Sequence, residues 1–290
     1  MIQDPLREQL RLLAQELQKD SIKLILGGGY GLVLKTEYVR RTNAVTRFEE
    51  IPQARSTNDL DLFLSVEIIT SAEKIEKIRD ALEKLKFEPI APFFQFRLPI
   101  TFEGQDLPVK IDLLAAPPEN DEQRKLVKIN KPRIRPKKAK NIHGYLTEEA
   151  LTIEENLLPI DISGEGDEPL EIYLPHPFSY LVMKLFALRD RLEDEERDFG
   201  AYHAFDIYRV IAMMTEREWN EAINLREHYR DAPKIVEAAQ IVGELFADIE
   251  SIGVLRIRQH ARVVGFEILP ENLSALIEDL KELSADISKI

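Results

Sequence analysis

Two aspartates, Asp59 and Asp61, lie two positions apart in the stretch DLDLFL at 59–64. The alternation of polar and apolar residues predicts a strand, and residues two apart on a strand point to the same face. Asp112 lies in a second stretch of strand character, 107–114, whose apolar residues would let it pair beside the first. Because side chains on neighbouring strands come within about 5 Å, the three carboxylates are expected to share one site.

Three carboxylates in one place repel one another, and at 4 Å each pair costs about 4 kcal/mol at an effective dielectric constant of 20. Taken singly, an Asp-x-Asp on a half-buried strand is more often a solvated face than a catalytic pair. A divalent cation would remove the repulsion, and Mg²⁺ suits the cluster because it takes oxygen ligands and accepts phosphate oxygens. Two Mg²⁺ ions, which Mn²⁺ could replace, would stabilise the attacking and leaving oxygens of an in-line displacement.

Gly28 and Gly29 follow a predicted strand at 21–26 and precede a helix-like stretch at 32–41. Glycines there let the backbone approach a phosphate, and the helix N-terminus supplies amide donors. An ordinary strand-to-helix turn would use the same residues. The run 27–35 lacks the Gly-Lys-Ser/Thr ending of a Walker A motif, and no Gly-x-Gly-x-x-Gly is present.

In chain order these pieces resemble the nucleotidyltransferase fold shared with DNA polymerase β. More narrowly, the chain resembles the AbiEii/AbiGii-type nucleotidyltransferase toxin family. LGGGYGL at 26–32 resembles its Gly-Gly-Thr-Ala-Leu opening, and RSTNDLDL at 55–62 resembles its Arg-x-Ser/Thr-x-Asp-hydrophobic-Asp motif. HPFSYLVMK at 176–184 and RDFGAYHAFDIY at 197–208 resemble its lysine helix and its Lys-Asp-x-x-Asp-hydrophobic-Tyr region. The match spans about 22–211 and leaves the C-terminal helices uncovered.

The resemblance implies an enzyme that transfers a nucleoside monophosphate from an NTP to an acceptor. For this family the acceptor would be a tRNA 3′ end, and the enzyme would be a toxin neutralised by a cognate antitoxin protein. It also implies that Lys184 contacts the triphosphate and that Asp206 orients Lys184 or the acceptor. A lysine with its stem on apolar surface, and a surface aspartate paired with Arg209, are the structural alternatives.

The remaining roles follow from the same pattern. Asp112 is the expected general base, since it could accept the proton of the acceptor hydroxyl. The metal ligands would be Asp59, Asp61 and Asp112, and the catalytic residues would be these three with Lys184 and Asp206. The expected nucleotide-binding residues are Gly28, Gly29, Tyr30, Arg55, Thr57 and Lys184.

The chain departs from the family pattern at two places. Tyr30 stands where the family usually has Ser or Thr, so a hydroxyl near the γ-phosphate would be absent or moved. An unassigned insertion, roughly 37–54, separates the glycines from the aspartates. Arg55 either holds a phosphate or pairs with a carboxylate, whereas His176 and His203 are expected to be capping or surface residues.

Two other functions stay open at this point. The same carboxylates would serve a transferase that acts on a small molecule or a protein side chain. A nucleotidyltransferase-like scaffold that binds partners and catalyses nothing belongs to a different class, and the intact aspartates speak against it.

The charge balance restricts how nucleic acid could bind. With 39 basic and 52 acidic residues the net charge is −13, and such a surface does not attract polyanions broadly. The stretch 124–140 is nevertheless rich in Lys and Arg, and it contains Pro132 and Pro136, which predict an irregular loop. This basic stretch is either a solvated loop or the place where an RNA acceptor docks. It lacks the interleaved aromatic residues of a stacking platform.

The fold class expected is α+β. A nucleotidyltransferase-fold mixed sheet with flanking helices would form the catalytic domain, 1–170, and an all-helical C-terminal domain would form 171–290. The absence of cysteine excludes thiolate metal sites, disulfides and cysteine nucleophiles. The N-terminal residues do not have the pattern of a signal peptide, and no run approaches the roughly 20 apolar residues of a membrane helix. A cytoplasmic location without membrane contact is therefore expected.

Overall fold

The structure is a computed structural model that describes residues 4–54, 57–91, 93–102, 105–139, 141–164 and 166–284. The chain divides into two compact units. The first comprises 1–35 and 54–175, and the second comprises 36–53 and 176–290. The predicted domains, 1–170 and 171–290, assigned 36–53 to the first unit and 171–175 to the second, whereas the structure has the reverse. A single boundary along the chain cannot assign 36–53 to the second unit, because the chain returns to the first unit at 54.

The first unit contains the strands of the described residues and five α-helical segments. In chain order they are α1 (Pro5–Gln18), β1 (Ile25–Leu26), the beginning of α2 (Gly28–Thr42), β2 (Asp59–Leu64), α3 (Val66–Thr70), α4 (Ala72–Lys84), β3 (Glu88–Ala91), β4 (Gln95–Leu98), β5 (Thr101–Phe102), β6 (Gln105–Asp106), β7 (Val109–Ala115), α5 (Asp121–Leu126), β8 (Val127–Asn130), β9 (Arg133–Pro136), β10 (Gly144–Leu146), β11 (Leu158–Asp161) and β12 (Glu171–Leu174).

Ten of these strands form one mixed sheet. Eight of them follow the order β11-β12-β1-β2-β7-β10-β9-β8. Strand β4 pairs with the part of β7 that is not paired with β10, and β3 pairs with β4. The pairs β2–β7, β7–β10 and β1–β12 are parallel, and the others are antiparallel. β5 and β6 form a separate two-stranded sheet.

One face of the sheet is the core of the unit. Leu60 and Leu62 on β2 and Ile111 and Leu113 on β7 are buried, and helix α1 contacts both strands. Helix α1 presents a stripe of buried residues at spacings of three and four, as its sequence predicted. The opposite face carries the polar residues of the two strands, and we call it the open face.

The basic stretch was predicted to be irregular, and this prediction was wrong. Most of it is the end of α5 and the β8–β9 hairpin, whose strand β9 also pairs with β10. Val127 and Ile134 are buried on one side of the hairpin, whereas the basic residues lie on the other side. The two prolines concealed this alternation, because Pro132 lies in the turn and Pro136 ends β9, where a missing N–H is tolerated.

The second unit is helical. Its helices are the end of α2, α6 (Pro177–Arg189), α7 (Ala201–Ala212), α8 (Glu216–His228), α9 (Pro233–Leu245), α10 (Ile252–Val263) and α11 (Pro270–Ser284). The fold class is therefore confirmed: a mixed sheet with flanking helices precedes an all-helical C-terminal part. The helical part begins at Pro177 and not at 171, because Glu171–Leu174 pairs in parallel with β1 in the sheet.

The predicted insertion is anchored within the second unit. Arg47 and Phe48 donate backbone hydrogen bonds to the carbonyls of Met214 and Ala212, at 2.9 and 3.3 Å. The ring of Phe48 lies 5.4 Å from that of Tyr208. Since these contacts join 36–53 to the helices that follow 200, the segment is a structural part of the helical unit.

None of the helices in the described ranges combines the length and the apolar character that crossing a membrane requires.

Candidate active site

The three aspartates lie on the open face of two adjacent strands. β2 and β7 are parallel, and their register places Asp61 directly opposite Asp112 and Asp59 opposite Lys110. Because paired residues on neighbouring strands share a face, all four side chains lie on the same side of the sheet. The expectation that the two strands are adjacent and that the aspartates share a face is confirmed.

Asp59 is half exposed and has a basic neighbour. Its Oδ1 lies 3.8 Å from Nζ of Lys110, and both side chains retain more than two fifths of their exposure, so the pair contributes little to stability. The Oδ1 atom itself is buried and accepts no hydrogen bond from the described residues. A buried carboxylate oxygen without a donor is an acceptor that a cation could satisfy.

The pKa of Asp112 is raised in the folded protein. Burial raises its pKa above the ordinary value, and the charge of Asp59 raises it further. A hydrogen bond from Gln95, which lies directly opposite on β4, and the positive charge of Lys110 act in the other direction. A carboxylate with a raised pKa is a stronger proton acceptor, as a general base requires.

The glycine turn is built against Asp61. Gly27 donates its backbone N–H to the carbonyl of Asp61 at 2.8 Å. Gly28 has a φ of +60°, and a β-carbon there would lie 1.6 Å from Oδ2 of Asp61. Only glycine fits this position. Helix α2 begins at Gly28, and Gly29 lies in its first turn, where backbone amides lack intrahelical acceptors.

The three aspartates offer the type of ligand atom, a carboxylate oxygen, that Mg²⁺ prefers. Asp59, Asp61 and Asp112 offer carboxylate oxygens on one face, and Oδ1 of Asp59 is a buried acceptor without a donor. Over the ranges that the structure describes, no three His, Cys, Asp or Glu side chains converge into a ready-made metal site. The residues thus fit the ion by type and by face.

The remaining predicted nucleotide-binding residues of the first unit have other contacts. Tyr30 is buried, and its hydroxyl donates to Asp4, the residue that caps the start of α1. Thr57 accepts the backbone N–H of Asp59 at 3.3 Å through its hydroxyl, at the start of β2. Arg55 lies outside the described residues. Thr57 therefore helps to position Asp59, whereas the hydroxyl of Tyr30 is directed to the N-terminus of α1.

Lys184 and Asp206 form a buried ion pair inside the second unit. Nζ of Lys184 on α6 lies 2.8 Å from Oδ2 of Asp206 on α7, and both side chains are at least nine-tenths buried. Arg209 donates to the other oxygen of Asp206 and to the carbonyls of Pro52 and Gln53. Asp206 thus pairs with both Lys184 and Arg209, which the sequence analysis had treated as alternative partners. It is a buried residue and not a surface residue. The triphosphate contact expected for Lys184 stays a prediction.

The two histidines have structural positions. Nδ1 of His176 accepts the backbone N–H of Phe178 at 3.1 Å and so caps helix α6, as expected. His203 is buried beside Tyr202, with ring centroids 4.0 Å apart, and it is not at the surface. Its helix, α7, is buried on nearly every side, which a two-sided sequence pattern does not show.

Three residues near the aspartates were missed in the sequence. The first is Gln95, which lies opposite Asp112, and the second is Lys110, which lies opposite Asp59. The third is Gly27, where a β-carbon would lie 2.5 Å from the ring of Phe63. Lys110 could have been found, because it has the same parity as Asp112 on a predicted strand. The pairing of β4 with β7 has no local sequence signal.

No protein-family model matches the chain, and no curated protein is significantly similar to it in sequence. In structure the chain is similar to an antigenic nucleotidyltransferase-like protein from Paracoccidioides brasiliensis. The identity is 15%, the TM-score is 0.40, and the likeness covers 80% of this chain and 91% of that one. Similarity at this level does not carry an activity or a substrate from that protein to this chain.

Proposed function

We propose that this protein is a Mg²⁺-dependent nucleotidyltransferase that transfers a nucleoside monophosphate from an NTP to a hydroxyl acceptor. The observation that supports it best is the pairing of Asp61 with Asp112 on the open face, beside Asp59 and against the turn at Gly28. Carboxylates that could hold a metal thus lie next to a helix N-terminus that could receive phosphates.

In this proposal each residue has a separate task. The acceptor oxygen attacks the α-phosphorus, the bond from that phosphorus to its bridging oxygen breaks, and pyrophosphate leaves. Asp112 takes the proton of the acceptor hydroxyl. Amides of the turn at Gly28 and Gly29 bind phosphate oxygens. Asp59 and Asp61 hold Mg²⁺ with Asp112, and the ion, when bound, stabilises negative charge on the reacting oxygens.

The acceptor is proposed to be an RNA end, in agreement with the tRNA acceptor that the family resemblance implies. Within the basic stretch, 124–140, the strands β8 and β9 form the surface proposed to receive it. The narrower role, a toxin neutralised by an antitoxin protein, is supported by the sequence motifs alone. It is proposed on that basis.

The test is transfer of label from each of four α-³²P-labelled NTPs into total RNA, protein and small molecules, with Mg²⁺. The wild-type protein is compared with Asp59→Asn/Asp61→Asn. Asp121→Asn is the matched control, because it removes the same kind of charge at an exposed residue of α5. Label in RNA that the control retains and the double variant loses would support the proposal.

The other outcomes distinguish the alternatives. Label in protein or in a small molecule would retain the chemistry and replace the acceptor. No transfer by folded wild-type protein, together with Mn²⁺ affinity that Asp61→Asn leaves unchanged in the presence of NTP, would identify a scaffold without catalysis.

A further inference from the structure

A cavity of about 170 Å³ lies at the β8–β9 hairpin, and basic side chains dominate its lining. It is lined by Lys128, Asn130, Arg133, Arg135 and His143. Its volume is several times the roughly 30 Å³ that a water molecule occupies in the liquid. A small oxyanion such as a phosphate group therefore has room in it.

The hairpin register concentrates positive charge at this cavity. Lys128 lies directly opposite Arg135, and Asn130 lies directly opposite Arg133, so all four side chains share one face. Like charges placed directly opposite one another destabilise a strand pair. Among the residues that the structure describes, no carboxylate forms a salt bridge with Lys128, Arg133 or Arg135. A bound anion would remove the repulsion.

Two of the lining residues are held in place before any ligand binds. Nη1 of Arg135 donates to the carbonyls of Pro136 and Lys137 at 2.9 and 3.1 Å, and also to that of Ala139. These bonds fix the guanidinium, and its Nε and Nη2 donate to no other described residue. His143 is buried, and its ring lies edge-on to that of Phe93 at 5.3 Å. A rigid fork of N–H donors is the arrangement that binds phosphate oxygens.

The cavity lies on the same face of the sheet as the aspartates. Leu114, two residues after Asp112, is paired with Tyr145 on β10, and Tyr145 is paired with Arg133 on β9. Because each pair shares a face, Asp112 and Arg133 are on the same side of the sheet. From the strand spacing and rise, their Cα atoms are roughly 12 Å apart.

An aromatic surface lies between the two sites. Tyr145 is 41% exposed, and its ring is 5.6 Å from that of Phe94. This aromatic surface could not be predicted from the sequence, because the basic stretch itself contains no aromatic residue and Phe94 is distant along the chain. A positively charged groove next to an exposed aromatic ring is the combination by which proteins bind single-stranded nucleic acid.

We propose that this cavity binds a backbone phosphate of a single-stranded RNA, that a base of the RNA stacks on Tyr145, and that the strand runs along the open face towards Asp112. The inference rests on the proposed function for the chemistry at Asp112 and adds how the acceptor is held. Arg133 and Lys128 bind the phosphate, and Arg135 supplies a fixed donor.

The experiment measures binding of a short, fluorescein-labelled single-stranded oligoribonucleotide by anisotropy, in EDTA and without NTP. Lys128→Gln/Arg133→Gln is expected to weaken binding at least tenfold and to reduce the salt dependence, the slope of log K against log [salt], by about 0.7, because one phosphate loses its contacts. Lys137→Gln/Lys138→Gln removes the same charge from exposed neighbours outside the cavity lining and is expected to weaken binding less than about twofold. Tyr145→Ala is expected to weaken binding about tenfold, whereas Tyr145→Phe retains it.

Thermal stability distinguishes the loss of a phosphate contact from the unfolding of a variant. Since Lys128→Gln/Arg133→Gln relieves repulsion, its thermal midpoint is expected to equal or exceed that of the wild type. Equal loss of affinity in both double variants would overturn the inference, and so would binding of inorganic phosphate in the cavity without RNA binding. Binding of an acidic peptide, and not of RNA, in the cavity would indicate a protein partner. That result would also overturn the inference.

The two proposals fail separately. Asp59→Asn/Asp61→Asn is expected to bind RNA at least as tightly as the wild type does, since these residues do not line the cavity and their charges repel the RNA. If transfer is absent but RNA binding depends on Arg133 and Lys128, the proposed function fails alone. If transfer to RNA occurs and binding is insensitive to both residues, the inference fails alone.

Discussion

The carboxylate of Asp61 occupies the place that a side chain at residue 28 would take: its Oδ2 lies 1.6 Å from the position of a β-carbon on Gly28. The two residues belong to different elements, and the hydrogen bond from the N–H of Gly27 to the carbonyl of Asp61 joins those elements. The turn that precedes α2 and the first pair of aspartates therefore form one rigid arrangement. A substitution in the turn should therefore displace the carboxylate of Asp61.

Gly28→Ala tests that relationship. Alanine at a φ of +60° costs about 1–2 kcal/mol by itself, and the new methyl group must also displace the carboxylate of Asp61. We expect the free energy of unfolding to fall by about 3 kcal/mol and nucleotidyl transfer to fall at least tenfold. Urea denaturation and the labelled-NTP assay measure the two effects.

Gly265→Ala is the control for backbone strain. Its φ is +67°, and a β-carbon there meets nothing within 4 Å. The conformational cost is therefore similar, but no side chain is displaced, so a loss of about 1–2 kcal/mol with full activity is expected. Equal effects of the two alanines on activity would show that Asp61 is not positioned by the turn.

Asp112→Asn should stabilise the fold while abolishing transfer. Because the pKa of Asp112 is raised in the folded state, the folded protein holds this proton more tightly than the unfolded chain does. Its stability contribution therefore decreases as the pH rises from the unfolded pKa, about 3.9, through the folded pKa. Asparagine removes that penalty, so the variant should be more stable than the wild type at pH 7.

The measurement is urea denaturation of both proteins at several pH values. The advantage of Asp112→Asn should shrink as the pH falls towards the ordinary carboxyl pKa, whereas Asp121→Asn, at an exposed residue, should show no such trend. A variant that is less stable than the wild type at pH 7 would mean that the charge of Asp112 is stabilised and not penalised.

Gln95 is expected to set the working pH of Asp112. Its hydrogen bond lowers the pKa of that carboxyl, so Gln95→Ala should raise the pKa further. The acidic limb of the pH profile of transfer would then move to higher pH, while activity well above the pKa changes less. A profile that keeps its acidic limb would show that another group is the base. Gln123→Ala, at a residue of α5, is the matched control.

The alternation of apolar residues was enough to place the aspartates together. Leu60, Leu62, Ile111 and Leu113 must all be buried, so two adjacent strands leave Asp61 and Asp112 on the same free face whatever their direction. The pattern did not determine strand direction, nor did it indicate that β4 would bring Gln95 opposite Asp112. Pairings between distant segments depend on the whole sheet, and no local propensity encodes them.

The same limit explains the error at the hairpin and the contact of Tyr30 that was not predicted. Prolines at 132 and 136 suggest a loop, yet each lies where a strand pair tolerates it, and tertiary pairing with β10 completes the hairpin. The hydroxyl of Tyr30 donates to Asp4, a contact between two helices that no motif comparison could supply. Both depend on long-range packing.

Asp206→Asn should be more destabilising than Lys184→Met. The carboxylate of Asp206 accepts from both Lys184 and Arg209 in a buried site, so its neutralisation removes the anion that two cations share. Breaking a buried charge network in this way typically costs about 3–5 kcal/mol. Lys184→Met keeps the pair of Asp206 with Arg209 and replaces the lysine stem by an apolar chain of similar length, so a loss of about 1 kcal/mol is expected. Urea denaturation measures both, with Asp190→Asn, an exposed partner of Arg189, as a control that should stay within about 0.5 kcal/mol of the wild type. If Lys184→Met lost transfer while it remained as stable as this control, Lys184 would act on the reaction and not only on the fold.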